Sequence, residues 1–417
     1  MRVSLVPLGS RGDVEPYVAL GRALAAKGHA VRVATCEPFR DFVTSNGLEY
    51  ERLAGDIKEV VGDRGRAELA SAGANPIRAF RALREHVGPL VREANVNLPR
   101  AIAGADVVIG HLLAPAAASV AERTGARYID ASYVPVFPTR AFAHPGAPPD
   151  TRGGLACLAS HLVAEQLFFQ AFRADVNALR RSLGMGRSPL LGPDTWPLRR
   201  RPPKLVAVSP EIVPRPSDWP AHVHVTGHFQ LDAPADYAPP PALEAFLSAG
   251  EPPVYVGFGS MTLERPEEAT RAVIAAVRAA GKRALLSAGW GGLAEIGPTS
   301  DDVFFVGDVP HGYLFSRVAG VVHHGGAGTT ASAFRAGVPQ MAVPFLADQP
   351  FWGHRISALG AGPRPLPIAH LDVVRLRDRL RAFDFPSIRR RAAEIGSRVR
   401  AERGPERAVE IIERLAA

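Results

Sequence analysis

The chain has 417 residues, of which 22% are charged and 47% hydrophobic, a balance typical of folded globular proteins rather than disordered or membrane-embedded chains. This length exceeds what one ordinary core requires and predicts two domains. The net charge of +8 is scattered along the chain and is not interleaved with aromatic residues, which disfavours nucleic-acid binding. An arginine-biased surface, an anionic membrane and a phosphorylated substrate stay open as explanations.

The cysteine and apolar patterns favour a cytoplasmic protein. Cys36 and Cys157 provide neither a disulfide framework nor a metal-ligand spacing. The apolar region 101–121 is interrupted by charged residues and a proline, so it predicts a strand and a helix rather than a membrane span. No signal-peptide pattern follows Met1. We therefore expect a cytoplasmic protein, monomeric or homodimeric.

Short β-branched runs alternate with helical patterns in both halves, which predicts an α/β fold with two parallel sheets. The strands expected in the first half are 2–8, 30–35, 105–110, 127–134, 204–209 and 223–227. Those expected in the second half are 253–258, 283–288, 303–306, 319–323 and 340–344. A long helix is predicted over 156–183, and prolines between 234 and 241 predict an interdomain linker.

The first predicted strand leads into a short glycine loop, "LGSRGDVEP". We expect a helix to begin near Val14, with Pro16 in its first turn, which puts Asp13 at the N-cap position. Capping alone would explain this aspartate. A general base facing a cleft between the domains is the functional alternative.

A second glycine-rich segment, "GVVHHGGAGTTASAFRAG" at 320–337, combines a strand, glycines and a helix start rich in hydroxyls. Free backbone N–H groups and the helix dipole predict an anion site there. His324 precedes the glycines and is suited to donate to phosphate, whereas His323 fits a structural role. No Walker loop and no GxGxxG after the first strand occur, which argues against ATP hydrolysis and nicotinamide chemistry.

Two more segments fall at predicted strand ends of the second half. "VGFGSM" at 256–261 places Ser260 within reach of the same anion, although it also fits a plain turn. After the strand 340–344, Asp348 and Gln349 suit the hydroxyls of a sugar, and Trp352 adds an aromatic ring. A phosphate site beside a hydroxyl site predicts a sugar nucleotide as ligand.

Three segments carry a resemblance: "GSRGDVEPYVALGRALAAKGHAVRVAT", "GFGSM" and "VPHGYLFSRVAGVVHHGGAGTTASAFRAGVPQMAVPFLADQPFWGHR". In combination they resemble the inverting nucleotide-sugar glycosyltransferases of the GT-B type, which have two Rossmann-like domains. That family includes plant and animal UDP-glycosyltransferases, antibiotic glycosyltransferases and sterol glucosyltransferases. The motifs are most similar to sterol glucosyltransferases and actinobacterial natural-product transferases of secondary metabolism.

The resemblance implies two α/β domains that face each other across a cleft. The acceptor domain is then expected over 1–230, a linker over 231–243 and the nucleotide-sugar domain over 244–395. A C-terminal helix, 396–417, is expected to pack back on the first domain.

The resemblance also implies inverting, metal-independent transfer of a hexose to a hydroxyl, without a resident cofactor. No DxD triplet occurs in the sequence, in agreement with this. Many members carry a histidine base in the first loop; this chain has Asp13 instead, so Asp13 is the expected base. His111 is the second expected catalytic residue, with packing as its alternative role. The co-substrate is expected to be UDP-glucose rather than a dTDP-sugar.

The remaining site residues follow from the same resemblance. The donor-binding residues are expected to be Ser10, Gly12, Ser260, Val309, His324, Gly326, Gly328, Thr329, Asp348 and Gln349. Val309 would contribute a backbone contact in place of the tryptophan of plant relatives. The acceptor-binding residues are expected to be Phe137, Phe142, Phe168, Phe172 and Trp352, an apolar set suited to a polyketide, sterol or terpenoid, unless they are core aromatics.

Three other functions stay open: a dTDP-deoxysugar transferase of antibiotic biosynthesis, a sugar-nucleotide epimerase, and a non-catalytic sugar-nucleotide-binding protein. A peripheral membrane contact is a further possibility for the basic surface.

Overall fold

A computed structural model describes residues 1–72, 76–148, 151–192, 201–234, 236–289, 291–297 and 300–417. The chain divides into two compact units. Unit 1 consists of Met1–Leu231 together with Arg403–Ala417, and unit 2 consists of Asp232–Glu402. Position 235, within the predicted linker, lies outside the described residues.

Unit 1 contains a parallel sheet of seven strands in the order β3-β2-β1-β4-β5-β6-β7 among its described residues. The strands are β1 (Arg2–Val6), β2 (Ala30–Cys36), β3 (Glu49–Ala54), β4 (Val107–Gly110), β5 (Arg127–Ser132), β6 (Lys204–Val206) and β7 (Val223–Val225). The helices are α1 (Arg11–Ala26), α2 (Arg40–Ser45), α3 (Ile57–Ala72), α4 (Pro76–Ala82), α5 (Gly88–Ala101), α6 (Ala117–Thr124) and α7 (Gly154–Ser182), with a π-helical turn at Leu83–Val87.

Unit 2 contains a parallel sheet of five strands in the order β10-β9-β8-β11-β12 among its described residues. These are β8 (Val254–Gly257), β9 (Ala284–Ser287), β10 (Val303–Phe305), β11 (Gly320–His323) and β12 (Gln340–Ala342). Its helices are α8 (Pro241–Ser248), α9 (Pro266–Ala279), α10 (His311–Leu314), α11 (Ala327–Ala336), α12 (Gln349–Ala358), α13 (Val373–Ala382) and α14 (Pro386–Arg400). Both faces of this sheet carry buried apolar side chains, as a parallel sheet covered by helices requires.

The last helix, α15 (Gly404–Ala416), belongs to unit 1 although unit 2 precedes it in the chain. Val409 and Ile412 lie in the same buried cluster as Val14 of α1. Nε2 of His29 lies 2.9 Å from Oε1 of Glu413. Helix α15 therefore packs against α1 within unit 1.

The start of α1 differs from the sequence prediction. The helix begins at Arg11 with Ser10 as its N-cap, so Asp13 is the third helical residue and its predicted N-cap position was wrong. The Ser10 backbone N–H donates to Oδ2 of Asp13 at 2.5 Å. The carboxylate thus reaches back and holds the turn in a capping-box arrangement, which lets the helix start earlier than the apolar pattern indicates.

Helix α7 is long and apolar enough, by length and composition, to cross a membrane, and 22% of its most apolar window is buried. Its buried residues include Ala171, Phe172 and Val176, which pack in the clusters of unit 1. Its apolar side chains therefore contribute in part to the core of this unit.

Candidate active site

Three neighbouring strands of unit 1 bring polar side chains to one sheet edge. Asp13 follows β1, His111 follows β4 and Tyr133 follows β5, and these strands are adjacent in the order β1-β4-β5. Because the strands are parallel, their carboxyl ends lie at the same edge, where ligands bind in such sheets. Tyr17 connects α1 to β4 and β5, since its hydroxyl lies 2.8 Å from the carbonyl oxygens of both Gly110 and Ala131.

The carboxylate of Asp13 accepts hydrogen bonds on both oxygens. Its Oδ2 accepts from the Ser10 N–H at 2.5 Å and from the Ser10 hydroxyl at 2.8 Å. Its Oδ1 accepts a short hydrogen bond from the Tyr133 hydroxyl. The Asp13 side chain is 20% exposed. The structure therefore holds this carboxylate in one orientation while leaving part of it accessible.

Gly9 makes this orientation possible. Its φ of +140° is one that residues with side chains rarely adopt. A Cβ at this position would lie 2.3 Å from Oδ2 of Asp13, closer than any non-bonded contact allows. Gly12, by contrast, is exposed, and a Cβ there would meet only the Ser10 hydroxyl, at 3.7 Å.

His111 is buried beside this carboxylate. Its Nε2 lies 3.2 Å from the Tyr133 hydroxyl and 3.7 Å from Oδ1 of Asp13. Its Nδ1 accepts from the Leu113 N–H at 3.3 Å, which assigns the proton of the neutral ring to Nε2. Burial lowers the pKa of His111, against the opposing effect of Asp13, so the ring is neutral at pH 7. His111 thus donates to Tyr133, and Tyr133 donates to Asp13.

Sequence reasoning singled out Asp13 and His111 but missed Tyr133 and Gly9. The quoted loop contains Gly9, yet only the folded-back carboxylate shows why a glycine is needed there. Tyr133 lies near the carboxyl end of the predicted strand 127–134 and directly follows the observed β5, and this position was the one signal that could have indicated it.

Unit 2 brings a second group of loops to one sheet edge. Strands β8, β11 and β12 are adjacent and parallel, and the segments after them contain Ser260, His324 and Asp348. Ser260 is half-buried on the first of these segments. The predicted donor residues of this half are thus placed on neighbouring loops.

His324 lies packed between two glycines. A Cβ on Gly326 would lie 2.4 Å from Nε2 of His324, and one on Gly259 would lie 2.9 Å from its Cε1. Its Nδ1 is buried without a hydrogen-bond partner among the described residues. Burial, followed by the nearby His311, lowers the pKa of His324 to about 4. A buried ring nitrogen without a partner is a group that a bound phosphate would satisfy.

Helix α11 starts beside this ring. Its N-cap is Gly326, so the N–H groups of Ala327, Gly328 and Thr329 have no partner within the helix. Gly328 is exposed and Thr329 is half-buried. Exposed N–H groups at the positive end of a helix dipole favour an anion. These residues therefore form a place where an anion could bind.

His323 holds the glycine loop after β11 through a backbone hydrogen bond. It is fully buried, its Nδ1 accepts from the Gly325 N–H at 3.1 Å, and its Nε2 lies 3.0 Å from Oε1 of Gln340. Burial lowers the pKa of His323 to about 3. This neutral ring fills the structural role that the sequence indicated for it.

The Asp348–Gln349 pair is placed differently from the prediction. Gln349 is 4% exposed; its Oε1 accepts from the N–H groups of Phe345 and Leu346 at 2.7 and 3.1 Å. Its Nε2 lies 3.3 Å from the sulfur of Met261. The amide of Gln349 thus supports its own loop, and Asp348 is the member of the pair that is half-buried.

Trp352 is completely buried, so it presents no surface to an acceptor in this structure. The Nε1–H of Trp352 donates to Oδ2 of Asp348 at 2.7 Å. Ala347, which directly precedes Asp348, has a φ of +56°. Both features fix the direction of Asp348. Val309 is 8% exposed, and its side chain packs in a buried cluster of unit 2.

The predicted acceptor aromatics form two groups within unit 1. Phe137 and Phe142 contact Trp219, with ring centroids 6.1 and 6.4 Å apart. Phe168 and Phe172 contact each other at 5.0 Å. Phe137 and Phe172 are buried, whereas Phe142 and Phe168 keep exposed surface.

A buried histidine, which the sequence did not single out, holds the loop that bears the first of these aromatic groups. The Nδ1 and Nε2 of His161, on α7, lie 3.0 and 3.1 Å from the carbonyl oxygens of Val136 and Phe142.

Comparison with known proteins decides the family. Residues 3–143 match the glycosyltransferase family 28 N-terminal domain, and residues 287–415 match the C-terminal domain of erythromycin biosynthesis protein CIII-like proteins. The chain is 37% identical over 427 residues to O-mycaminosyltylonolide 6-deoxyallosyltransferase of Streptomyces fradiae, covering 99% of this chain and 97% of that protein. The chain belongs to this glycosyltransferase family.

The chain is also 33% identical over 414 residues to a sterol 3-beta-glucosyltransferase of Arabidopsis thaliana, covering 98% of this chain. It spans 64% of the length of that plant protein. The crystal structure of the glycosyltransferase VinC in complex with dTDP superposes with a TM-score of 0.70 at 21% identity, covering 100% of this chain and 99% of that one. The GT-B fold expected from the sequence is confirmed.

Proposed function

We propose that this glycosyltransferase moves a hexose from a nucleotide diphosphate sugar to a hydroxyl group of a hydrophobic small molecule, with inversion and with Asp13 as the general base. The observation that carries the proposal is the oriented, partly accessible carboxylate of Asp13 at the sheet edge of unit 1. A carboxylate held within hydrogen-bond reach of an acceptor hydroxyl can take its proton in the transition state.

In the proposed step, the acceptor oxygen attacks the anomeric carbon of the sugar. Its proton passes to Asp13, the bond between the anomeric carbon and the phosphate oxygen breaks, and the electron pair leaves with the nucleotide diphosphate. One glycosidic bond forms and one glycosyl phosphate bond breaks, so no oxidant or reductant takes part. The proton returns from Asp13 to solvent after the product leaves.

Tyr133 and His111 are proposed as positioning residues for this base. The chain of donors from His111 Nε2 to the Tyr133 hydroxyl to Asp13 Oδ1 fixes which lone pair remains for the acceptor. His111 is neutral and its Nδ1 is already hydrogen-bonded, so it is poorly placed to accept the transferred proton. We therefore assign proton abstraction to Asp13 alone.

The developing charge on the leaving group is proposed to be stabilised in unit 2. His324, the N–H groups at the start of α11 and the hydroxyl of Thr329 are donors suited to a diphosphate. Asp348 is proposed to bind sugar hydroxyls, while Gln349 keeps its loop in place. Ser10, Gly12, Ser260 and the Val309 backbone remain proposed donor contacts. The reaction is proposed to need no divalent metal and no resident cofactor.

Two donor classes are supported by different relatives. UDP-glucose is the first candidate, because the plant relative is a glucosyltransferase. A dTDP-deoxysugar is the second, because the Streptomyces relative is a deoxyallosyltransferase and VinC was crystallised with dTDP. The sterol and tylonolide names of these relatives support a large apolar acceptor, with Phe142 and Phe168 as its proposed contacts.

The test is nucleotide release by the purified chain with UDP-glucose or a dTDP-deoxysugar, with and without sterol and macrolide acceptors, the products being followed by mass. Acceptor-dependent release of one nucleotide, with a matching mass gain on one acceptor, is expected. Donor isomerisation without any acceptor product would support an epimerase instead, and tight nucleotide binding without turnover would support a non-catalytic binding protein.

A further inference from the structure

One face of helix α7 holds the backbone of the following loop, residues 186–192, "GRSPLLG". The side chains that make these hydrogen bonds recur every three or four residues and are Gln166, Gln170, Arg173, Asn177 and Arg180. Their distances run from 2.5 Å, between Gln170 Nε2 and the Leu190 carbonyl, to 3.3 Å, between Arg173 and the Ser188 carbonyl. The helix therefore fixes the shape of a loop that has no core of its own.

This ordered loop exposes apolar side chains. Leu190 is 67% exposed and its neighbour Leu191 is 41% exposed. Val163, on α7, is 53% exposed. Because the loop backbone is already hydrogen-bonded to α7, a binding partner could cover its exposed side chains without breaking those hydrogen bonds. Two adjacent exposed leucines on a fixed loop indicate an interaction surface.

A basic cavity of about 340 Å³ adjoins the same loop. Its lining consists of Gln170, Arg173, Ala174, Asn177, Arg181 and Arg187, a set with three arginines and no carboxylate. The side chains of Arg181 and Arg187 form no ion pair or hydrogen bond with any described residue.

The acidic groups near this cavity, among the described residues, do not neutralise it. Asp175 pairs with Arg92 at 3.8 Å, and Glu122 pairs with Arg180 at 2.9 Å. The Glu165 carboxylate lies at the far end of the loop, against Gly192. Positive charge and apolar surface thus lie next to each other.

We propose that this surface, residues 186–192 with Arg173 and Arg181 of α7, docks unit 1 on a lipid bilayer that contains anionic lipids. Arg181 and Arg187 would bind lipid phosphates, and Leu190 and Leu191 would enter the acyl region. Apolar insertion together with cationic contacts is the pattern of a protein that lies on a membrane. A soluble phosphate ligand would use the cavity but would leave the leucines exposed.

The experiment measures binding of the purified full chain to sedimented vesicles of phosphatidylcholine alone and of phosphatidylcholine with phosphatidylglycerol. Binding is expected with the anionic vesicles and should weaken as salt is added. Leu190→Ser and Arg187→Glu should each weaken it about tenfold. Val374→Ser and Arg390→Glu are the matched controls, since both residues are exposed in unit 2, and both should bind as the parent does.

A fluorophore tests whether the loop itself enters the bilayer. Leu191→Cys can be labelled selectively because Cys36 and Cys157 are buried. A blue shift of an environment-sensitive label on anionic vesicles is expected. Three results would overturn the proposal: no binding of the parent to anionic vesicles, binding of the loop variants as strong as that of the controls, or no blue shift of the label at position 191. Vesicle binding is measured without donor or acceptor, so the result is independent of the proposed reaction.

Discussion

The Gly9→Ala substitution tests how the structure positions its proposed base. The added Cβ would lie 2.3 Å from Oδ2 of Asp13 and 2.6 Å from its Cγ. The loop cannot avoid this contact, because the φ of Gly9 is +140° and Asp13 is fixed by its hydrogen bonds to Ser10. The carboxylate must therefore leave its place.

The expected magnitudes follow from two contributions. An alanine in so unfavourable a backbone region costs about 1–3 kcal/mol. The loss of hydrogen bonds to the carboxylate adds about 1–2 kcal/mol. A displaced base should lower kcat by at least about a hundredfold, since general-base catalysis contributes roughly that much or more.

The assay combines turnover under saturating donor with urea unfolding. Gly47→Ala is the matched control, because Gly47 has a φ of +75° in the same unit and no atom within 4 Å of its ideal Cβ. This control should lose about 1 kcal/mol and keep its rate. Equal rates for Gly9→Ala and the parent enzyme would refute the argument that Asp13 must occupy this position.

Three further results are expected. Tyr133→Phe removes a donor to the proposed base, so kcat should fall about tenfold. Tyr50→Phe is the control, because the Tyr50 hydroxyl has no hydrogen-bond partner among the described residues, and it should leave kcat unchanged. His324→Ala should lower the affinity for the nucleotide diphosphate, measured by calorimetry, about tenfold. The control His370→Ala changes an exposed side chain and should leave this affinity unchanged. Equal affinities for both variants would exclude His324 from the donor site. Burial lowers the pKa of His323 to about 3, so below about pH 6.5 this side chain binds a proton in the unfolded chain but not in the folded one. The free energy of unfolding, measured with urea, should therefore fall by about 1.4 kcal/mol per pH unit for this group. A free energy of unfolding that stays constant between pH 7 and 5 would contradict this.

The sequence predicted the described strands of both sheets except β3. This strand, "EYERLA" at Glu49–Ala54, carries charged residues because it lies at the edge of the sheet and pairs only with β2. Its polar side chains remain partly exposed there, so its pattern is not that of a buried strand. An apolar run therefore does not indicate an edge strand that is as charged as β3, although the less charged edge strands β7, β10 and β12 were predicted.

The candidate site was predictable to the extent that it depends on loop composition. The glycine loops indicated the anion site around His324, because backbone N–H groups at a helix start need no long-range partner. The roles of Tyr133, Gln349 and Trp352 depend on contacts between side chains that the pattern of residue types does not encode. In particular, the sequence predicts that Asp348 and Gln349 both bind sugar hydroxyls. The structure shows that the Gln349 amide instead accepts hydrogen bonds from the backbone of its own loop.

The most direct test of the central claim is single turnover of Asp13→Asn, with the best donor and acceptor pair and with donor affinity measured in parallel. Asparagine keeps the shape of the side chain but cannot take a proton. We expect donor binding close to that of the parent and a rate of glycosyl transfer lower by at least about a hundredfold. Transfer at the parental rate would contradict the assignment of Asp13 as the general base.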